Sequence, residues 1–141
     1  MYQEVVTTQA EAITHLFLHC CYRDGVFTKS EIKTVSDKLV AAGLQADLNF
    51  KEEINKYQSY RLDITDEGSY LEYLIGLIMP VNELALFSYC IELCLSDTSL
   101  DPKEERFLNE LGTALNIEEQ EQEVSKKLIV QRKIVETQQI F

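Results

Sequence analysis

Two helix-start signals of the same kind limit what this chain can fold into. Thr28 is followed three residues later by Glu31, and Asp101, with Pro102 next to it, is followed three residues later by Glu104. This spacing is that of the capping box, in which the N-cap side chain and the acidic side chain each accept a hydrogen bond from the other's backbone N–H. Both segments are therefore predicted to begin helices.

Apolar residues recur every three or four positions before and after the first box, which is the pattern of one helix face. A cap at Thr8 predicts a first helix that ends at Gly25, and Gly43 is expected to end the second helix. Residues 44–68 are less periodic, although Phe50 and Tyr57 fit one side of a short helix.

The second half of the chain shows the same periodicity. Residues 69–79 form one apolar run, and Pro80, which suits a first helical turn, is expected to start the next helix. The helix after Asp101 is expected to end at Asn116. Acidic residues followed by basic ones then predict a C-terminal helix over residues 118–138, because that order complements the helix dipole.

Composition supports a helical globular protein. The chain has 141 residues, of which 45% are hydrophobic and 26% charged, with only 5 Gly and 2 Pro. That leaves little material for the turns of a β-sandwich. We predict an all-α, single-domain bundle of about seven helices over residues 1–141, with similar helix-corner-helix units at about 10–44 and 81–117.

The net charge of −11 argues against nucleic acid as a partner, because a phosphate backbone would be repelled. The most apolar stretch, residues 71–95, is interrupted by charged residues, so we expect no stable membrane insertion. The N-terminus lacks the pattern of a secretory leader, and we expect a cytoplasmic protein. Four cysteines without a CxxC pair are then expected to pack as buried free thiols: Cys20, Cys21, Cys90 and Cys94.

The chain also carries an internal repeat. A shift of 73 positions places residues 16–35 on residues 89–108 and aligns three identical residues, which are Cys21 with Cys94, Asp24 with Asp97 and Glu31 with Glu104. Apolar and capping positions match as well. We interpret the two segments as helix-corner-helix units of one design.

Each corner is flanked by two carboxylates, which leads to a metal hypothesis. Asp24 and Glu31 lie at the first corner, and Asp97 and Glu104 at the second. Several oxygen ligands suit Ca²⁺, Mg²⁺ or Mn²⁺, and converging carboxylates need a positive partner. The alternative is structural, since the two Glu residues fit as capping-box partners and the two Asp residues as turn residues.

Other chemistry has less support. His15 and His19 have a zinc-chelating spacing but no intervening Glu base, and we expect them at the edge of the apolar face or in solvent. Tyr57, Tyr60 and Tyr70, together with Tyr73, are expected to be aromatic residues at the edge of the core. The sequence has no nucleophile elbow, P-loop or dinucleotide fingerprint, so we predict no enzyme.

The corners resemble those of the TerB-like tellurite-resistance domains. The segment Tyr22 to Glu31 is similar to the first family motif, and the segment from Leu95 through Glu104 to Ile117 is similar to the second, with Thr98 where Gly is usual. The resemblance implies an all-helical, cytoplasmic, non-enzymatic protein of a tellurite or general stress response. It also implies a divalent metal held by the four corner carboxylates.

Two further functions stay open. The chain is alternatively a protein-interaction scaffold that needs no metal and engages a protein partner or a second copy of itself through the C-terminal helix, as a homodimer. A cysteine-based redox or metal-sequestering protein would require exposed thiols.

Overall fold

The fold is seen in a computed structural model that describes residues 1–22, 28–41, 43, 49–95 and 100–137. The described residues form eight α-helices and one 3-10 helix, and no strand. The all-α prediction is confirmed, and the helix beyond the expected seven is the short α1 at the N-terminus. The helices are α1 (Tyr2–Val5), α2 (Gln9–Cys21), α3 (Lys29–Ala41), α4 (Phe50–Tyr60), α5 (Glu67–Ile78), α6 (Glu83–Cys94), α7 (Pro102–Ala114) and α8 (Glu119–Thr137), with the 3-10 helix at Arg61–Asp63.

The chain divides into two compact units, Met1–Pro80 and Val81–Phe141, which we call the N-terminal and the C-terminal unit. In the N-terminal unit, α2 contacts α3, α4 and α5. Its apolar side chains are therefore buried on several sides, and Leu16 and Leu18 are fully inaccessible to solvent. The expected short helix in the middle of the chain is α4, which contributes the buried Tyr57.

Polar N-caps explain where three helices of this unit begin. The side chains of Thr8, Asn49 and Asp66 each accept a hydrogen bond from the backbone N–H three residues later, over 3.2 to 3.3 Å. These bonds satisfy donors that a helix start leaves without an intrahelical partner. The cap expected at Thr8 is confirmed.

Gly43 ends the second helix as expected. It has a φ of +75°, and its N–H bonds to the carbonyl of Val40 over 3.0 Å. Glycine adopts this left-handed conformation without the steric cost of a Cβ. The predicted end of the first helix at Gly25 lies outside the described residues.

The expectation that Pro80 starts a helix is wrong. Helix α5 ends at Ile78, and Met79 follows it in a left-handed conformation with a φ of 46°. Helix α6 begins only at Glu83, because Asn82 provides the N-cap and accepts a bond from Ala85 N over 2.9 Å. A capping side chain thus outweighs the proline preference at this boundary.

The C-terminal unit contains α6, α7 and α8, which contact one another pairwise. Helix α7 ends at Ala114, and the expected stop, Asn116, follows two residues later with a φ of 58°. The N–H of Ile117 bonds to Gly112 O over 2.9 Å, and that of Asn116 to Thr113 O over 3.0 Å, which together form a Schellman motif. Helix α8 falls within the predicted range 118–138.

The helix boundaries follow the internal repeat. Helices α2 and α6 end at the equivalent Cys21 and Cys94, and α3 and α7 begin at the equivalent Lys29 and Pro102. Along the described chain, no helix is long and apolar enough to cross a membrane.

Candidate functional site

The four carboxylates predicted as metal ligands are only partly described by the structure. Asp24 and Asp97 lie outside the described residues. Glu31 lies in the first turn of α3, but its side chain is also outside them. Glu104 is the member of the set whose side chain the structure describes, and the convergence of the four remains a prediction.

Glu104 forms the capping box expected from the sequence. Asp101 N donates to Glu104 Oε1 over 2.9 Å, and Glu104 N donates to Asp101 Oδ1 over 2.8 Å. The residue is only 2% exposed. The positive end of the α7 dipole and the backbone N–H offset part of the cost of burying its charge.

No group of three or more His, Cys, Asp or Glu residues that could hold a metal ion occurs within the described ranges. Because three of the four corner side chains fall outside those ranges, this observation leaves the corner site open.

The described residues do contain a polar network that the sequence did not predict. It is built on His15 of α2. His15 Nδ1 lies 2.6 Å from the Tyr60 hydroxyl, and His15 Nε2 lies 2.8 Å from Glu53 Oε1. The Tyr60 hydroxyl lies 2.6 Å from that of Tyr70. These contacts join α2, α4 and α5, and we call His15, Glu53, Tyr60 and Tyr70 the histidine network.

His19, one turn further along α2, repeats the arrangement. Its Nδ1 lies 2.7 Å from the Tyr57 hydroxyl and its Nε2 lies 2.8 Å from Glu67 Oε2. In each histidine, Nδ1 thus lies within hydrogen-bonding distance of a tyrosine hydroxyl and Nε2 within that of a glutamate carboxylate. The His15 side chain is fully buried, whereas that of His19 is 13% exposed.

One proton arrangement satisfies every member of the histidine network. With Glu53 as the acceptor of Lys56, His15 Nε2 donates to Glu53 Oε1 and His15 Nδ1 accepts from the Tyr60 hydroxyl. The Tyr60 oxygen then accepts from the Tyr70 hydroxyl. Lys56 Nζ completes the chain by donating to Glu53 Oε2 over 3.2 Å.

Burial sets the charge state of this network. It lowers the pKa of His15 below its usual range, against the hydrogen bond and charge of Glu53, which raise it. Burial also raises the pKa of Tyr60 and of Tyr70 far above the ordinary tyrosine value. The hydrogen bond to Glu53 raises the pKa of Lys56. The buried His15, Tyr60 and Tyr70 are therefore neutral, and the charges of this region belong to Glu53 and its partner Lys56.

A polar cleft of about 450 Å³ lies over this ion pair, between the start of α2 and helix α4. Glu11, Glu53 and Lys56 line it, and Lys56 Nζ also lies 3.6 Å from Glu11 Oε2. The charged side chains at the cleft therefore pair with one another. The histidine network connects helices α2, α4 and α5.

The expectation that both histidines lie at the edge of the apolar face or in solvent is wrong for His15. The aromatic and acidic residues of α4 and α5 were the sequence signal for the histidine network. They identify it only once these helices are known to pack beside α2. Tyr57, Tyr60 and Tyr70 lie inside the core rather than at its edge, since they are at most 3% exposed, whereas Tyr73 is half-buried.

All four cysteines are free thiols and buried, with at most 3% exposure. This confirms that they pack as core residues. A cysteine-based redox or metal-sequestering function requires accessible thiols, so the burial of these cysteines argues against it.

Two helix pairs with matching boundaries, a capping box at the start of α7 and buried free thiols define an all-α protein with two similar helix pairs. Residues 10–127 match the family described as "Tellurite resistance protein TerB". The match covers most of the chain, which therefore belongs to the TerB family. Neither the curated proteins nor the solved structures yield a significant match.

Proposed function

We propose that this chain is a non-enzymatic accessory protein of a tellurite or metal stress response and that it binds a divalent cation at its acidic corners. The observation that carries this proposal is the TerB family match over residues 10–127, which includes both corners. The expected ligands are Asp24, Glu31, Asp97 and Glu104.

The charge of the protein favours a cation over the tellurite oxyanion as the direct ligand. A net charge of −11 repels anions over much of the surface and attracts divalent cations. Glu104 supports the proposal in a second way. Its carboxylate is buried beside the corner, where an added positive charge would lower the cost of its burial. A hard cation such as Ca²⁺ or Mn²⁺ suits carboxylate ligands.

Titration calorimetry with CaCl₂, MnCl₂ and ZnCl₂ tests the proposal. We compare the unmodified protein with the double variant Asp24→Asn/Asp97→Asn and with a control, Asp37→Asn/Asp63→Asn, that removes the same charge elsewhere. Asp37 lies in α3, where it pairs with Lys33, and Asp63 in the 3-10 helix. We expect the unmodified and control proteins to bind and the corner variant to be silent. Silence of the unmodified protein, or equal binding by both variants, would contradict the proposal.

A second candidate function is an interaction scaffold that uses α8, in the cytoplasm where we expect the chain to act. It is favoured by one observation. Val124, Leu128 and Val135 of α8 are 55%, 60% and 66% exposed, while the buried residues of this helix are the polar Gln122 and Lys126. A protein that binds no metal but self-associates through α8 would support this candidate over the first.

A further inference from the structure

Helix α8 packs on its own unit with two buried polar side chains and with the half-buried Ile129 and Val130. Gln122 and Lys126 are 5% and 4% exposed. Gln122 Nε2 donates to Ile117 O over 2.8 Å, and Lys126 Nζ donates to Asn109 Oδ1 over 2.6 Å. These buried bonds hold α8 against its unit without using its most exposed apolar side chains.

The exposed apolar residues lie on the opposite side of the helix. At about 100° per residue, Val124, Leu128 and Val135 fall within about 40° of one another, and Gln122 and Lys126 lie roughly 160° away from the middle of that set. We call Val124, Leu128 and Val135 the outer stripe. A surface helix ordinarily turns its apolar stripe toward the core, so an outward stripe indicates a surface that another molecule covers.

The charge order of α8 selects the molecule that fits. Glu119, Glu121 and Glu123 occupy its first turns, and Lys127, Arg132 and Lys133 follow. A second α8 running in the opposite direction places its basic half beside this acidic half, and the helix dipoles also oppose each other favourably. A parallel pair would instead bring like charges together.

We propose that two copies of this chain associate through antiparallel pairing of their α8 helices along the outer stripe. The inference deepens the scaffold candidate and is independent of metal binding. In the register that the charges favour, Val124 of one copy opposes Leu128 of the second copy, and Val135 reaches just past the start of the second α8. Glu121 then lies within one residue, about 1.5 Å along the axis, of Arg132 of the second copy. Glu121 and Arg132 lie on the same side of the outer stripe, at about 40° and 60° from its middle. In an antiparallel helix pair, residues on the same side of the two stripes face each other.

The pairing belongs to the class of weak interfaces. One helix from each copy buries less than about 1,200 Å² in total, which is typical of transient association. The register also brings Lys127 of both copies close to the two-fold axis, where their charges oppose association. We therefore expect dimers to form in the micromolar range or above, and Lys127→Gln to tighten them.

Sedimentation equilibrium of the full chain, from about 5 to about 500 μM in low salt with EDTA, measures the association. We expect a monomer–dimer equilibrium that Leu128→Glu weakens by at least roughly tenfold, since the new charge would be desolvated in the pair. The control is Leu62→Glu, because Leu62 is 85% exposed in the N-terminal unit and outside α8. A chain that is monomeric throughout, or an equal effect of the two variants, would overturn the proposal.

A charge swap tests the antiparallel direction. Glu121→Lys and Arg132→Glu should each weaken association by roughly tenfold, because each creates two symmetry-related repulsions. The double variant should restore association to within about threefold of the unmodified protein. Arg132 also pairs with Glu136 over 3.1 Å within its own helix, and that loss is common to Arg132→Glu and the double variant. Association without rescue in the double variant would overturn the antiparallel pairing. Far-UV circular dichroism confirms that each variant is folded, and EDTA separates this result from the metal experiment.

Discussion

Replacing Tyr60 by Phe removes a single oxygen from the centre of the histidine network. That oxygen lies 2.6 Å from His15 Nδ1 and 2.6 Å from the Tyr70 hydroxyl, so the change breaks two hydrogen bonds at once. The ring of the new residue keeps the shape of the old one, and its stacking on His15, with ring centroids 5.6 Å apart, can persist. The effect therefore reports the hydrogen bonds rather than a cavity.

The magnitude follows from the burial of the two partners left behind. His15 and Tyr70 are both 0% exposed, so water cannot replace the lost partner. An unsatisfied buried donor or acceptor costs about 1–3 kcal/mol, and two of them predict a loss of roughly 2–6 kcal/mol in the free energy of unfolding. Domain stabilities are about 5–15 kcal/mol, so this loss is a large share of the total.

Urea unfolding followed by far-UV circular dichroism at pH 7.5 measures the loss, since the chain has no Trp to report by fluorescence. Tyr73→Phe is the matched control. The Tyr73 hydroxyl donates to Val6 O over 2.6 Å at a part-buried position, where solvent can approach, and we expect a loss of about 0.5–1.5 kcal/mol. If Tyr60→Phe lost no more stability than Tyr73→Phe, the buried chain of hydrogen bonds would not hold these helices together.

Three further predictions concern other parts of the structure. Because burial holds the pKa of folded His15 below its ordinary value of 6.5, the unfolded chain binds more protons below that pH. Stability that is full above pH 6.5 should fall as the pH drops toward the folded pKa, by at most about 1.4 kcal/mol per pH unit, and His15→Gln should flatten this slope in urea titrations at several pH values. Gly112→Ala should lower stability by about 1–3 kcal/mol, because its Cβ would collide with the buried Gln122 side chain, and adding Gln122→Ala should recover part of the loss in thermal unfolding. In thiol labelling with a maleimide, the native protein should react slowly and the urea-unfolded protein at all four cysteines, and rapid native labelling would contradict their burial.

Helix boundaries set by side-chain caps could be predicted from the sequence. Thr8 and Asp101 signal their helices because the capping bond forms between residues three apart, and Gly43 and Asn116 end theirs through a local backbone conformation. Pro80 misled the prediction because proline only permits a helix start, whereas the side chain of Asn82 stabilises one.

The histidine network could not be predicted because its bonds are long-range. His15 meets Glu53 and Tyr60 across 38 and 45 residues of sequence, and the partners are set by how α2, α4 and α5 pack. Periodicity identifies which face of a helix is apolar but not which polar group will be enclosed with it. The burial of Lys126 in α8 was missed for the same reason, since it depends on a bond to Asn109 on another helix.

The close approach of Gly112 and Gln122 also constrains how this chain can change over evolutionary time. A side chain at position 112 meets the amide end of Gln122, which must then move away or become smaller, and either change gives up the bond to Ile117. Either substitution alone is harmful, so descendants should exchange the two residues together or keep both.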